Sequence, residues 1–494
     1  MPQPDAAAAD LIAAARELRE RLLADPHRPT YHFVAPEGHC MPFDPNGALY
    51  WRGKYHLGFI FQNERGHCWG HASSRDLVHW RLHPPSLVPN PGDPDTGIFS
   101  GNAFVSKEGE AVLLYHGVGA GNCIALSAED DLDHWRKLPT NPIVAIPKEG
   151  DPDFGKYSSW DPHGWLEGDT YYAIFGGNPA TLFRSKDLVK WEFLHRFPET
   201  NMPDVEPDED ISCPDFFSLG DKHMLLCISH KRGCRYYLGR FGNEQFHPEM
   251  HARMNWPGGT CFAPESLLDD RGRRIMWAWA LDGTPGDNAS IPEWSGTMTL
   301  PRVLSLGDDG TLRIEPVEEL AALRMNHRRI TRRVVPAEAE AIVPEVRGDC
   351  LELRLTFAPT DAAEFGLKVR CSPDGVEQTA ISYDAERQCL RVDVSRSTLN
   401  ESIIYRTFNM PHGVDNPLVT VQEAPFALAP GEPLELRVFL DRSILEVFAN
   451  GRQCVTQRIY PTRPDSLGVS LFARGGSATV PTLDAWDLAP SNPW

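Results

Sequence analysis

The stretch GDTYYAIFGG, residues 168–177, decides the fold of this 494-residue chain, because four other segments repeat its pattern. Each segment begins with a glycine and a charged residue and then becomes an apolar strand. The five glycines are spaced 56, 59, 52 and 52 residues apart. A unit of short strands repeated five times at this period predicts a β-propeller of five blades. The other segments are GKYHLGFIFQ from Gly53, GEAVLLYHGV from Gly109, GDKHMLLCIS from Gly220 and GRRIMWAWAL from Gly272.

A second motif keeps the same period: SRDLVHW ends at Trp80, DDLDHW at Trp135 and SKDLVKW at Trp191. The repeat stops within residues 322–335, and short strands with period-2 alternation, such as LELRVFLD, then predict a β-sandwich. The sequence therefore predicts an all-β protein, a five-bladed β-propeller followed by a C-terminal β-sandwich. The predicted units are an N-terminal helix over 1–27, the propeller over 28–325 and the sandwich over 335–494.

The first 27 residues predict a helix, since Leu11, Leu18 and Leu22 recur at helical spacing ahead of Pro26. We expect one apolar face of this helix to pack on the body of the protein. The segment has no basic start followed by an apolar block, so it does not resemble a secretory signal. The 11 cysteines form no CxxC pair and are odd in number, which indicates free thiols in a reducing, cytoplasmic compartment.

The overall charge limits the classes of partner. A net charge of −20 argues against nucleic acid and anionic membranes, which attract surfaces rich in lysine and arginine. The sequence has no apolar run long enough to span a bilayer. The 18 histidines show no HxH or HExxH spacing, so no metal site is predicted, and no cofactor is expected. We expect a monomer or a homodimer.

Acidic residues recur at one end of the predicted blades. The innermost strand of each propeller blade lines the central channel, so residues that open these strands converge on one site. The segments before the repeated glycines carry Asp44, Asp161, Asp215 and Glu265, each beside a proline. Carboxylates clustered in this way suit glycoside cleavage, in which one attacks the anomeric carbon and others stabilise the transition state. Calcium binding is the competing interpretation.

Eight ordered motifs resemble those of glycoside hydrolase family 32, which contains invertases, inulinases and levanases. The resemblance extends over about residues 28 to 490 and implies a five-bladed propeller followed by a β-sandwich, as the repeat does. It also implies a retaining β-fructofuranosidase that takes a small carbohydrate substrate. The motifs are RPTYHFVAPEGHCMPFDPNGALYWRGKYHLGFIFQ, WGHASSRDLVHW, IFSGNA, WDPHGWLEGDTYY, SCPDFF, FAPESLLDDRGRRIMWAW, GTMTLPRVLSL and LDRSILEVFANG.

Position by position, the resemblance implies that Asp44, in the turn MPFDPNG, is the nucleophile and that Asp161 stabilises the transition state. The general acid of the family is the glutamate of a Glu-Cys-Pro-Asp segment, where this chain has Ser212. Trp160 stands where the family has an arginine, and Phe43 where it has an asparagine. The predicted substrate-binding residues are Phe43, Asn46, Gln62, Trp69, Ser100, Trp160, His163, Ser212 and Asp215.

A serine hydroxyl is not a general acid near neutral pH, so three interpretations stay open. In the first, the acid has moved, with Glu209 and Glu265 as the leading candidates and His163 as a further proton donor. In the second, the substrate is another furanoside, or the enzyme transfers a fructosyl-like group to a second sugar. In the third, the protein binds carbohydrate without cleaving it. We predict a retaining glycosidase for a fructofuranoside or related furanoside, with a relocated acid.

Overall fold

The chain begins with one helix, α1 (Ala6–Ala24). Of the face that the sequence predicts to pack on the body, only Leu22 is buried, whereas Leu11 and Ile12 are 72% and 44% exposed. The prediction of a packed face was therefore wrong over most of the helix, which is anchored near its C-terminal end. No helix in the described part of the chain is long and apolar enough to cross a membrane. This computed structural model describes residues 6–36, 40–199, 202–282, 284–285, 294–404 and 419–491.

Five antiparallel sheets follow one another along the chain and confirm the predicted blades. Blade 1 contains β1 (Pro45–Trp51), β2 (Lys54–Asn63), β3 (Gly66–Ser74) and β4 (Trp80–Leu87). Blade 2 contains β5 (Ile98–Val105), β6 (Ala111–Gly117), β7 (Gly121–Ser127), β8 (Arg136–Lys137) and β9 (Val144–Ala145). Blade 3 contains β10 (Trp160–Glu167), β11 (Thr170–Gly176), β12 (Thr181–Ser185) and β13 (Trp191–Arg196).

The last two blades continue the pattern. Blade 4 contains β14 (Ser212–Leu219), β15 (Lys222–Ser229), β16 (Gly233–Gly242) and β17 (Gln245–Arg253). Blade 5 contains β18 (Cys261–Leu268), β19 (Arg274–Ala280), β21 (Arg302–Leu306) and β22 (Leu312–Pro316), and the short β20 (Thr284–Pro285) lies outside this sheet.

The first strand of each blade forms the wall of the channel. Strand β1 contacts β5 and β18, β10 contacts β5 and β14, and β14 contacts β18. The repeated glycines, which the sequence predicts to be turn residues, lie between the first and second strands with φ of 62° to 81°. These values fall in the left-handed region that glycine enters without steric cost.

The N-terminal segment closes the ring of blades. The carbonyl of Phe33 accepts a hydrogen bond from the Met298 amide at 2.8 Å, and the Ala35 amide donates to Gly296 at 2.9 Å. Met298 also forms a bridge to Trp279 in β19. The start of the chain thus pairs with the last blade, which satisfies backbone groups that would otherwise form an open sheet edge.

A 3₁₀ helix, Glu318–Leu323, leads into a sandwich of two six-stranded sheets. The first strand of the sandwich, β23 (Arg324–Val335), lies inside the stretch predicted as the boundary. In spatial order, one sheet contains β23 (Arg324–Val335), β35 (Ala478–Leu488), β25 (Cys350–Phe357), β31 (Leu434–Asp441), β32 (Ile444–Ala449) and β33 (Gln453–Arg458). The other contains β24 (Ala339–Arg347), β34 (Gly468–Arg474), β26 (Glu364–Cys371), β27 (Thr379–Asp384), β28 (Cys389–Asp393) and β30 (Val421–Pro425). Strand β29 (Ile403–Ile404) pairs with β20.

A buried carboxylate fastens the sandwich to the N-terminal segment. Asp441, at the end of β31, is fully buried and accepts hydrogen bonds from the backbone amides of Thr30, Tyr31 and His32 at 2.7, 2.8 and 3.0 Å. The His32 ring contacts the same carboxylate through Nδ1 at 3.0 Å. Burial alone would raise the pKa of Asp441, but the hydrogen bonds from His32 and from backbone amides lower it.

Substitution Asp441→Asn is expected to destabilise the protein by about 3 kcal/mol, because an amide group would face donors that now share one carboxylate. The midpoint of thermal unfolding, followed by circular dichroism, should fall by roughly 3–6 °C. The matched control is Asp361→Asn at an exposed position of the sandwich, which should leave the midpoint unchanged. Equal midpoints for the two variants would contradict the anchoring role of Asp441.

Candidate active site

An irregularity at the same end of every innermost strand assembles the site. The register against the second strand shifts between residues 46 and 49 in β1, 98 and 101 in β5, and 160 and 162 in β10. It shifts again between 212 and 215 in β14 and between 262 and 265 in β18. A bulge bends a strand and re-aims its side chains. Residues beside the bulges of different blades therefore face one another at one mouth of the channel.

Asp44 directly precedes β1 and is 8% exposed. Its Oδ2 accepts a hydrogen bond from the Ser100 hydroxyl of β5 at 2.9 Å. Its backbone carbonyl accepts the Ile60 amide at 3.2 Å and the Asn46 side-chain amide at 2.7 Å. The Asn46 carbonyl oxygen in turn accepts the Gly101 amide at 3.0 Å. Ser100 and Asn46, both predicted from sequence as site residues, thus hold the Asp44 carboxylate and its turn in place.

Asp161, the second residue of β10, is 3% exposed. Its Oδ2 accepts the backbone amide of Cys213 at 3.0 Å. The Cys213 sulfur lies 3.6 Å from this oxygen and 3.8 Å from Oδ2 of Asp44. Cys213 occupies the bulge of β14 with φ of 45°, a conformation that carries strain in a residue other than glycine. The two carboxylates therefore approach the same sulfur atom.

Ser212 is the centre of a hydrogen-bond network beside these carboxylates. Its hydroxyl accepts the indole N–H of Trp160 at 3.1 Å and donates to Oδ2 of Asp210 at 2.8 Å. Nδ1 of His230 donates to the same oxygen at 2.6 Å, and the His230 amide donates to Oδ1 of Asp210 at 3.0 Å. The Ser229 hydroxyl also donates to Oδ1 of Asp210, at 3.2 Å. Residues at two of the predicted departures from the family pattern, positions 160 and 212, are thus bonded to each other.

Burial and hydrogen bonds shift the pKa of each titratable group in the site. Burial raises the pKa of Asp44 to about 7, against the hydrogen bond from Ser100. Burial also raises the pKa of Asp161, whereas nearby His116 and His230 act to lower it. The hydrogen bond to Asp210 raises the pKa of His230, and the charges of Asp161 and Asp44 add to this. Burial alone would raise the pKa of Asp210, but the hydrogen bonds and the charge of His230 lower it to about 2.

Three predicted sugar-binding residues are not placed at the carboxylates. Phe43 is fully buried and packs on Phe33 and Phe59, so its ring belongs to the core. Trp69 is also fully buried and donates its indole N–H to the carbonyl of Phe99 at 3.0 Å. Gln62 is exposed, and its side-chain amide contacts His67. Phe43 and Trp69 are thus closed to solvent in this structure, and their contacts with a sugar stay predictions.

Glu209, a leading candidate for the acid, is held elsewhere. Its side chain is fully buried and contacts the guanidinium groups of Arg235, Arg253 at 3.7 Å and Arg232 at 3.9 Å. It also accepts the backbone amide of Glu206 at 2.9 Å. A carboxylate surrounded by guanidinium groups is stabilised in its ionised form. Glu209 is thus enclosed by arginine side chains rather than presented to the Asp44 and Asp161 carboxylates, and its role as the acid stays a prediction.

His163, Asp215 and Glu265 lie past the bulges of their strands, in a second buried cluster with Arg274. His163 Nδ1 lies 3.6 Å from Asp215 Oδ1, and Glu265 accepts the Ala48 amide at 3.3 Å. Burial raises the pKa of Asp215 to about 6 and that of Glu265 well above its usual value. Burial lowers the pKa of His163 to about 3, so its ring is neutral. Among the described contacts, none joins this cluster to the Asp44 or Asp161 carboxylates, so the structure does not place Glu265 or His163 as the acid.

One group of side chains in the described residues has ligand atoms close enough for a metal ion: His71, His83 and Asp133, within 4.8 Å of one another. It lies on blade 1 and the adjoining loop of blade 2. Both ring nitrogens of His83 are already hydrogen-bonded, to Asp133 at 2.6 Å and to the Ser73 hydroxyl at 2.7 Å. His71 contacts His56 at 2.9 Å. The group is thus largely satisfied by its own hydrogen bonds.

Comparison with known proteins agrees with this geometry. The model of the glycosyl hydrolases family 32 N-terminal domain matches residues 32–316, and that of the family 32 C-terminal domain matches residues 319–487. The chain belongs to glycosyl hydrolase family 32. The predicted family is therefore confirmed, and with it the class of enzyme, a glycosidase.

Curated and solved relatives of family 32 extend over nearly the whole chain. The chain is 30% identical to sucrose-6-phosphate hydrolase of Escherichia coli, over 93% of this chain and 94% of that one. It is 26% identical to fructan 6-exohydrolase of Beta vulgaris, over 94% and 87%. The crystal structure of fructan 1-exohydrolase IIa from Cichorium intybus superimposes with a TM-score of 0.80 at 24% identity, over 94% and 98%. This likeness confirms the predicted propeller and sandwich.

The residues predicted from sequence as site residues include neither Asp210 nor His230. The signal that places them together is the register of β14 and β15, in which Ser212 pairs with Ile228. In an antiparallel ladder, the residue two positions before Ser212 lies near the residue two positions after Ile228. Asp210 and His230 stand in these positions, and no spacing along the chain reveals the pair.

The buried charge of Asp44 predicts a dependence of stability on pH. The folded-state pKa of about 7 lies above the usual value of 3.8, so the folded state holds this proton more tightly than the unfolded state. Folding stability is therefore lost as the pH rises from about 4 to 7, by at most about 4 kcal/mol. Asp44→Asn removes this loss and should raise the midpoint of thermal unfolding at pH 8, with a smaller gain at pH 5.

The control for this measurement is Asp361→Asn, whose midpoint should follow that of the parent at both pH values. If Asp44→Asn is no more stable than the parent at pH 8, ionisation of the Asp44 carboxylate does not lower the folding stability.

Proposed function

We propose that this protein hydrolyses the bond to a terminal β-fructofuranosyl group of a small oligosaccharide, with retention of configuration. The observation that carries the proposal is the pair of buried carboxylates, Asp44 and Asp161, which both approach the sulfur of Cys213 in a chain of family 32. In a retaining glycosidase one carboxylate forms a covalent glycosyl-enzyme intermediate that water then hydrolyses.

Asp44 is the nucleophile of this proposal. Its Oδ2 is held by Ser100, and its Oδ1 accepts no hydrogen bond from the described residues, so the carboxylate is fixed in place while little of its charge is neutralised. Asp161, held by the Cys213 amide, supplies negative charge where an oxocarbenium-like transition state develops positive charge. A pKa of about 7 for Asp44 means that the attacking form dominates only above neutral pH in the free enzyme.

The names of the relatives support a fructose-containing substrate. The Escherichia coli relative is a sucrose-6-phosphate hydrolase and the Beta vulgaris relative a fructan 6-exohydrolase. The 11 cysteines are all free thiols, which fits a reducing cytoplasm in which small imported saccharides are the accessible substrates. Trp160 forms an apolar wall next to Asp161, since its ring packs on His116 and Phe99. We propose that this apolar wall determines which sugars the enzyme accepts.

The test is sugar release from sucrose, sucrose 6-phosphate, short fructans and aryl furanosides, including aryl pentofuranosides. The parent should release fructose, and Asp44→Asn should lower kcat/KM by at least about 10⁴-fold, because a neutral amide forms no covalent intermediate. Chromatography of the products distinguishes transfer to water from transfer to a second sugar. No release from any substrate, with sugar binding still detected by calorimetry, would overturn the proposal and leave a carbohydrate-binding protein.

A further inference from the structure

Position 212, where family 32 has its acid, offers no proton donor for the leaving group. Ser212 is fully buried, and its one hydroxyl proton is committed to Asp210. We propose that His230, oriented by Asp210, is the general acid of this enzyme and takes the place of the missing glutamate. The proposal rests on the hydrolysis proposed above.

The orientation of His230 follows from its hydrogen bonds. Asp210 is a pure acceptor when ionised, so the proton in their 2.6 Å contact belongs to Nδ1 of His230. The backbone amide of His230 donates to the other oxygen of Asp210, and Ser229 and Ser212 donate to the same carboxylate. Asp210 is thus fixed by four donors. The imidazole plane is fixed with it, and Nε2 is left as the nitrogen that can present a proton to a ligand.

His230 lies close enough to the reacting carboxylates for their charges to act on it. The charged groups that act on it are Asp210, Asp161 and Asp44, and all three favour its protonated form. Its charge in turn favours the ionised form of Asp44. Lys231, next in the chain, is directed away to Asp208 at 2.6 Å. The His230 side chain is 57% exposed, so a leaving group that points out of the site can reach it.

The network also explains why positions 160 and 212 differ together from the family pattern. The glutamate expected at 212 would be a third carboxylate next to Asp210 and Asp161, and like charges this close disfavour one another. Serine instead links the Trp160 indole to Asp210 through one hydroxyl. The serine and the tryptophan therefore support the Asp210 carboxylate, which holds the histidine.

The chemical steps balance with these groups alone. The Asp44 carboxylate attacks the anomeric carbon, and the bond to the leaving oxygen breaks with its electron pair on that oxygen. The leaving oxygen takes the Nε2 proton of His230 and departs as an alcohol. Neutral His230 then takes a proton from water as the water oxygen bonds to the anomeric carbon. The bond from that carbon to Asp44 breaks, fructose is released, and both residues return to their first state.

The first test compares His230→Gln with the parent on two classes of fructoside. With an alkyl leaving group, such as the glucose of sucrose, kcat/KM should fall about 10²–10⁴-fold. With a nitrophenyl leaving group, which departs without a proton, the loss should be less than about tenfold. The matched control is His134→Gln, since His134 is also exposed and also bonded to a carboxylate, Glu129 at 2.9 Å, but lies on blade 2. It should behave as the parent.

Equal losses on both leaving groups, or none on either, would overturn the role of His230. Failure of the proposed function looks different, because the parent itself would then release fructose from neither substrate. The thermal midpoint of His230→Gln, measured alongside, shows whether the variant is folded.

The second test addresses Asp210 as a positioning residue. Asp210→Asn removes the negative charge that raises the pKa of His230. The alkaline limb of the profile of kcat/KM against pH, which reports loss of the acid's proton, should therefore move to lower pH. The acid limb should change far less, because it reports ionisation of Asp44. An alkaline limb that stays in place would contradict the coupling between Asp210 and His230.

Discussion

The bulges at one end of the innermost strands are the constraint on which the site depends. A strand of regular pleat sends alternate side chains to opposite faces, so consecutive residues cannot both serve one channel. The shifts in register re-aim the chain at one end of the channel in all five blades. In β14 the bulge places both the amide and the sulfur of Cys213 against Asp161, with the backbone in a strained conformation. The repeated blades thus form the channel, and the bulges in their innermost strands direct the functional side chains into one site.

The site brings together charged groups whose burial away from water is energetically costly. Asp44 and Asp161 are both nearly buried, and the charge of Asp161 makes Asp44 harder to ionise. His230 offsets part of this repulsion from the rim, where water still reaches its ring. Asp210 pairs with the histidine and is fixed by hydroxyl and amide donors. The charges of Asp210, Asp161 and Asp44 all raise the pKa of His230, and its positive charge in turn favours the ionised forms of these three carboxylates.

The sequence was sufficient for the architecture, the turn glycines and the two carboxylates, because each follows from a repeat or from an ordered motif. It was insufficient for side-chain direction. Phe43 precedes Asp44 and therefore points the opposite way, into the core. Glu209, two residues after Pro207 and three before Ser212, suggested an acid, but three arginines from the same blade hold it. The Asp210–His230 pair depends on which residues face each other across a hairpin, and the bulge in β14 shifts that register by an amount that the local sequence does not show.

The sandwich takes part in positioning the nucleophile even though it holds none of the site. Asp441 fixes residues 30–32, the next residues pair with blade 5, and Ser295 exchanges hydrogen bonds with the backbone of Cys40 at 2.9 and 3.1 Å. Only three residues then separate Cys40 from Asp44. Phe43, stacked on Phe33, locks this last step against the core, and a side chain at Gly296 would strike its ring. The ring closure that completes the propeller is therefore also the support that holds the Asp44 carboxylate near Asp161.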